Sequence, residues 1–132
     1  MSFLVDSDVC SAHLKGERRA NTRFLQYTGR LHISAVTVSE LFTWATRAGA
    51  PPARLAAIQD MLVAISFHPV DYEIAQRSGE LRAVLLDRGL PMATTDLLIA
   101  ATAQIHGLTL VTHNTRHFQN VPHLVVEDWL AP

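Results

Sequence analysis

Residues 94–114, TTDLLIAATAQIHGLTLVTHN, place two kinds of structure end to end. From Thr94 or Thr95 to Ile105 the residues are apolar on most sides of a helix, with Asp96 in its first turn and Gly107 as its stop. TLVT (109–112) follows at once as a short apolar strand. A helix this greasy, feeding a strand without polar alternation, requires cover on both faces.

The same pairing recurs outward along the chain. FLV (3–5) reads as a strand, followed by a helix from near Asp8 through Leu14 to Gly16. ERRANTRFLQYTG suits a second short helix and LHIS (31–34) a strand. In AVTVSELFTWATRAG, Thr37 and Glu40 match a capping box while Leu41, Trp44 and Ala45 keep helical spacing. Pro51 and Pro52 open the helix ARLAAIQDMLVAI, SFHPV is a connector or strand, Asp71 caps YEIAQRSGELRAVLLDRG, and HLVVEDW supplies a last strand. Short strands alternating with longer helices predict one α/β domain over residues 1–132, with a central, mainly parallel sheet between helical layers. In such folds ligands gather beyond the carboxyl ends of the strands. Asp6 stands at one of those ends and Asn114 at another.

Composition narrows the function. The chain is 48% apolar and 17% charged, with mean hydropathy +0.15, which excludes a disordered chain and suits a partner that covers apolar surface. Eleven basic residues against twelve acidic ones, net charge -1, exclude a generic polycation. A local basic run does exist: HLKGERRANTRFLQYTGR (13–30) carries Lys15, Arg18, Arg19, Arg23 and Arg30 against Glu17 alone. Cys10 is the single cysteine, so no internal disulfide forms; it reads as a small buried hydrophobe in a reducing compartment. No signal peptide and no run of membrane-spanning length is present, so the expected location is cytoplasmic, away from membranes.

Three acids sit in awkward places: Asp6 after the first strand, Glu40 in the first turn of its helix, and Asp96. Structural readings compete for these acids and for neighbouring Asp8. Asp8 could cap a helix, Glu40 could answer Thr37, and Asp96 could favour a helix dipole. Beyond one sheet edge together they would repel unless protons or a hard cation intervened, and oxygen ligands suit Mg²⁺ or Mn²⁺. His113 and His117 lack any zinc spacing and read as polar loop residues. No phosphate-binding glycine loop, GxSxG or HExxH occurs.

FLVDSDVCSAHLKG, ISAVTVSELFTWA, GLPMATTDLLIAATAQIHGLTLVTHNTRHF and VVEDW, taken in order and spacing, resemble the PIN-domain family over essentially the whole chain, and within it the VapC-type toxin ribonucleases of toxin–antitoxin pairs. The resemblance implies a PIN-like α/β/α sandwich and assigns metal-binding, catalytic roles to Asp6, Glu40 and Asp96. Asp8 falls where many relatives carry Asn. The family's usual TxNxxDF appears here as THNTRHF, so His117 occupies the fourth acidic position while Asn114 remains. The departure bears on a second metal ion more than on the first.

The resemblance further implies Mg²⁺-dependent hydrolysis of structured RNA, tRNA or rRNA, leaving a 5′-phosphate and a 3′-hydroxyl. It also implies a homodimer and a VapB-like antitoxin partner. Lys15, Arg18, Arg19 and Arg23 are the candidates for RNA-backbone contact, with Arg116 near the sheet edge as another. Leu41, Phe42 and Trp44 fit either a core or an apolar groove. Two rival functions remain open at this point: a PIN-like nuclease outside a toxin system, and a non-catalytic RNA- or protein-binding module.

Overall fold

Strand β1 (Phe3–Val5) has no polar face: all three residues are buried. It is the middle of a five-stranded sheet that the computed structural model, which describes residues 1–132, orders β3-β2-β1-β4-β5. The other strands are β2 (Leu31–Ser34), β3 (Ser66–His68), β4 (Thr109–Val111) and β5 (Val126–Glu127). Every pair is parallel, with Phe3 opposite Leu31 on one side and Thr109 on the other. Parallel strands need crossovers, supplied by α1 (Ser7–Leu14), α2 (Arg18–Gln26), α3 (Ala35–Thr46), α4 (Pro52–Val63), α5 (Tyr72–Asp87) and α6 (Thr94–Ile105).

Alternation along the strands divides the interior into two clusters, one for each face of the sheet. Phe3, Val5, Ile33 and Val111 meet Val9, Cys10, Phe24, Leu41, Ile58 and Trp129 on one face. Leu4 and Leu110 meet Ile74, Leu81, Leu97, Ala100 and Phe118 on the other. This is the three-layer α/β/α arrangement expected from the sequence, and Cys10 is a fully buried, unpaired thiol within it. No helix is long and apolar enough to cross a membrane.

The strand order fixes where a site must lie. From β1 the chain winds through β2 to β3 on one side, then returns to place β4 and β5 on the other. Connections therefore leave β1 and β4 toward opposite faces, which opens a crevice beyond their carboxyl ends. Asp6 follows β1 directly, and Thr112 follows β4.

Three local expectations change. Helix α1 starts at Ser7 and its N-cap is Asp6, not Asp8. Strand β2 runs into α3 without a loop, capped by the Ser34 hydroxyl, which accepts from the Val36 amide at 3.1 Å. The Thr37–Glu40 capping box therefore does not form, and Glu40 lies in the second turn rather than the first. Trp44 is half-buried at the border of the first cluster, with the Arg54 guanidinium 4.0 Å above its ring.

Candidate active site

Asp6 is 7% exposed, and both of its carboxylate oxygens are engaged. The Ser7 amide donates to Oδ1 at 2.8 Å and the Thr112 hydroxyl donates to Oδ2 at 2.9 Å. Burial, with Asp8 next to it, pushes its pKa up to about 6, while those two hydrogen bonds pull the other way. The carboxylate is thus held in place by the start of α1 and the end of β4 at a site that disfavours its charge.

Asp8 links the same two elements. It takes the Val9 amide on Oδ1 at 2.8 Å and the His113 amide on Oδ2 at 2.9 Å. Thr112 Oγ1 in turn accepts from the Asn114 amide at 3.1 Å. One hydroxyl therefore joins Asp6 to the turn after β4. The sequence marks Thr112 only as the end of TLVT; its place at a strand end beside the crevice between β1 and β4 is the signal that singles it out.

Glu40 comes from α3 and Asp96 from the first turn of α6. Burial raises the pKa of both. Glu40 is raised further by Asp96 and Asp8 and drawn back by the Ser7 side chain, and Asp6 also feels the Glu40 charge. Mutual repulsion thus ties together carboxylates that are far apart in sequence. The only ionisable partner near them is His117, whose Nδ1 lies 3.5 Å from Asp96 Oδ2 and opposes the rise at Asp96. His113 meets Asp128 at 3.1 Å instead, so neither histidine is a bare loop residue. No lysine or arginine pairs with Asp6, Asp8, Glu40 or Asp96; the single Arg–carboxylate pair in the chain is Arg77–Glu80.

This donor set fits a hard divalent cation: all-oxygen ligands, destabilised as anions, with no lysine or arginine to neutralise them. No three His, Cys, Asp or Glu side chains already close on one point. Glu40 opens on one hollow with Asp8 and Asp96 on another with His117, while Asp6 is buried between α1 and β4, so what links the three is the repulsion of their charges.

The remaining candidates separate into near and far. Arg116 shares with Asp96, His117 and Asn120 a cavity of about 330 Å³. Lys15 is exposed, with its ammonium 5.5 Å from the Trp44 ring centre. Arg18 and Arg23 lie on α2 and touch none of the acids through hydrogen bonds or ion pairs. Arg19 is engaged elsewhere, donating to the Leu130 carbonyl at 3.0 Å.

Comparison with known proteins places the chain in a family. The PIN domain matches residues 3–124. The tRNA(fMet)-specific endonucleases VapC of Salmonella typhimurium and Shigella flexneri are 32% and 34% identical to this chain over 130 residues, covering 98% of each chain. Ribonuclease VapC2 of Haemophilus influenzae is 33% identical over 109 residues, 83% of each. Among solved structures, a chain of DNA-bound VapBC from Salmonella typhimurium superposes with a TM-score of 0.90 at 32% identity, covering 98% of both chains. The same fold recurs in VapBC2 of Rickettsia felis at 23% identity, with a TM-score of 0.89 over 98% of this chain and 99% of that one. This chain belongs to the PIN-domain family, in the branch that holds the VapC ribonucleases.

Proposed function

We propose that this chain is a divalent-metal-dependent endoribonuclease and the toxin of a VapBC-type pair, cutting structured RNA. The observation that supports the proposal is the coupling of Asp6, Glu40 and Asp96, three acids distant in sequence: burial raises the pKa of each, Glu40 feels the charge of Asp96, and Asp6 feels that of Glu40. Substrate choice takes support from the two relatives named for tRNA(fMet), which makes initiator tRNA the first RNA to test.

Asp6, Glu40 and Asp96 would hold Mg²⁺ or Mn²⁺, directly or through water. A bound divalent ion supplies charge neutralisation at the scissile phosphate and an activated water. The protein's own part is positional. The Ser7 amide and the Thr112 hydroxyl fix the Asp6 carboxylate, and Asp8 anchors the turn that carries Asn114. A carboxylate at Glu40 or Asp96 orients the attacking water and accepts its proton, since burial has raised the proton affinity of both. His117, beside Asp96 where relatives carry a fourth acid, favours one bound ion over two. Water is the nucleophile, so the 2′-hydroxyl of the RNA is not consumed and the products end in a 5′-phosphate and a 3′-hydroxyl.

The partner is a VapB-like antitoxin, and the chain pairs with a second copy of itself. Structures of VapBC complexes from related systems support the first of these.

Incubation of wild type and Asp6→Asn with tRNA(fMet), total tRNA and rRNA, with Mg²⁺, Mn²⁺ or chelator, tests the activity. Wild type cleaves with metal and loses cleavage in chelator, whereas Asp6→Asn stays at least a hundredfold slower throughout, about 3 kcal/mol of lost transition-state stabilisation. Equal cleavage by both proteins, or none by either, overturns the assignment. A second readout needs no RNA: Mg²⁺ or Mn²⁺ raises the melting temperature of wild type and not that of Asp6→Asn.

A further inference from the structure

We infer that the trough between α1 and α3 is a nucleotide subsite, in which Trp44 stacks an unpaired base next to the cleaved bond and Lys15 meets the phosphate beyond it. The inference rests on the ribonuclease reading and adds which residues grip the strand. Ser7, Asp8, Ser11, Glu40, Leu41 and Trp44 enclose a cavity of about 220 Å³. A second hollow of about 350 Å³ continues it past Ala12 to Lys15, sharing Asp8 and Ser11. The α1 residues recur at positions 7, 8, 11, 12 and 15, one helical face, and the α3 residues at 40, 41 and 44 form the facing wall.

The chemistry changes along the trough. At one end stand Asp8 and Glu40, within the carboxylate group; at the other, the Lys15 ammonium is 5.5 Å from the centre of the Trp44 ring. Arg54 stacks on the indole at 4.0 Å and donates from its guanidinium to the Trp44 carbonyl at 3.1 Å, so the ring is held from behind rather than free to turn. The indole is half-buried and of fixed orientation, with Arg54 close on its ring and the flexible Lys15 ammonium more loosely over it. A base that displaces Lys15 toward its own phosphate gains a stacking platform with a backbone contact, the combination that binds single-stranded nucleic acid. Connectivity sets the occupant, because a strand whose phosphate lies at the carboxylates must place its neighbouring nucleoside within reach. That nucleoside has to be unstacked from its own strand, which selects loops over helices. Ser11 already donates to the Asp8 carbonyl at 3.0 Å, and its hydroxyl oxygen remains an acceptor for a base or ribose group.

The two tryptophans allow a direct test, since Trp129 is 3% exposed and contributes a constant signal. In an Asp6→Asn background with chelator, tRNA(fMet) is titrated while tryptophan emission and anisotropy of labelled RNA are followed together. Binding is expected to quench Trp44. Trp44→Leu is expected to raise Kd about tenfold while Trp44→Phe recovers most of the loss, the magnitude of one stacked base. Lys15→Ala is expected to reduce the salt dependence of binding by about one phosphate contact. Once the cut is mapped, an RNA made abasic beside it should bind wild type and Trp44→Leu equally. RNA that binds tightly without quenching, and with the same Kd for Trp44→Leu, overturns the subsite and leaves the ribonuclease reading intact. So does a Trp44→Leu protein that loses only antitoxin affinity. RNA that neither binds nor is cut defeats both.

Discussion

Asp6 closes β1, caps α1 and carries a carboxylate that its surroundings resist ionising. Raised from 3.8 to about 6, that group binds more protons folded than unfolded between those values, so its charge costs the fold roughly 3 kcal/mol at neutral pH, relieved as pH falls through 6. Asp6→Asn keeps an oxygen for the Ser7 amide and removes the charge. Its stability in chelator should rise by about 1–3 kcal/mol at pH 7.5, with the gain shrinking toward pH 5 by denaturant melts. Stability would then increase as cleavage disappears, a trade expected where charge is gathered for function. Thr112 makes the converse case. Thr112→Val removes a hydrogen bond that favours the Asp6 anion, so the acid limb of the pH–rate profile should move to higher pH and cleavage should fall on the order of tenfold. Asp6, Glu40 and Asp96 stand out in the sequence as acids beside apolar segments, and only the family resemblance gives them a metal-binding role. Thr112 does not stand out, because a threonine ending a strand needs no special reason.

The loop-free passage from β2 into α3 decides what Thr37 and Glu40 do. Ser34 takes the cap, so the helix begins three residues earlier than the Thr–x–x–Glu pattern suggests. That shift turns Thr37 inward, where its hydroxyl is fully buried without a hydrogen-bond partner, and releases Glu40 to face Asp8 and Asp96. An orphaned buried hydroxyl is a standing cost, and valine has nearly the same shape. Thr37→Val should therefore stabilise the protein by about 1 kcal/mol, a few degrees in Tm by calorimetry, without altering RNA cleavage. The elements themselves were readable from apolar spacing, from Gly16, Gly29 and Gly89 at helix ends and from Asp71 before α5. The starting register of α3 was not, because two hydroxyl residues compete for one cap and only packing chooses between them.

Across the whole molecule, the sheet order also gathers groups that the sequence leaves scattered. His32 on β2 and His68 on β3 hydrogen-bond through Nδ1 and Nε2 at 2.7 Å, and His106, after α6, stacks on His68 at 4.0 Å between ring centres. No spacing could reveal this trio, since it depends on β2 and β3 pairing in a particular register. Burial, then the neighbouring His106, lowers the pKa of His32; His68 is lowered by burial, His106 and His32, with Asp71 opposing. Lowered histidines stabilise the fold above about pH 6.5, and that contribution is lost as pH falls. Asp6 acts in the opposite direction over the same window, so wild type should change little. Asp6→Asn should lose Tm between pH 7.5 and 5.5 where wild type holds steady, and His68→Gln in that background should flatten the loss, as read by calorimetry across that range.

The end of the chain adds a last consequence. Trp129 lies against Phe3, Phe24 and Tyr27 beneath β1, and Arg19 pins the Leu130 carbonyl, three residues of strand away from the Asp6 carboxylate. In a genetic selection for cells that survive expression, escape lesions at these aromatic positions would mimic lesions at the acids. Assaying the soluble yield of each escapee would separate the two groups: aromatic lesions deplete the protein itself, whereas those at the acids leave it abundant and inert.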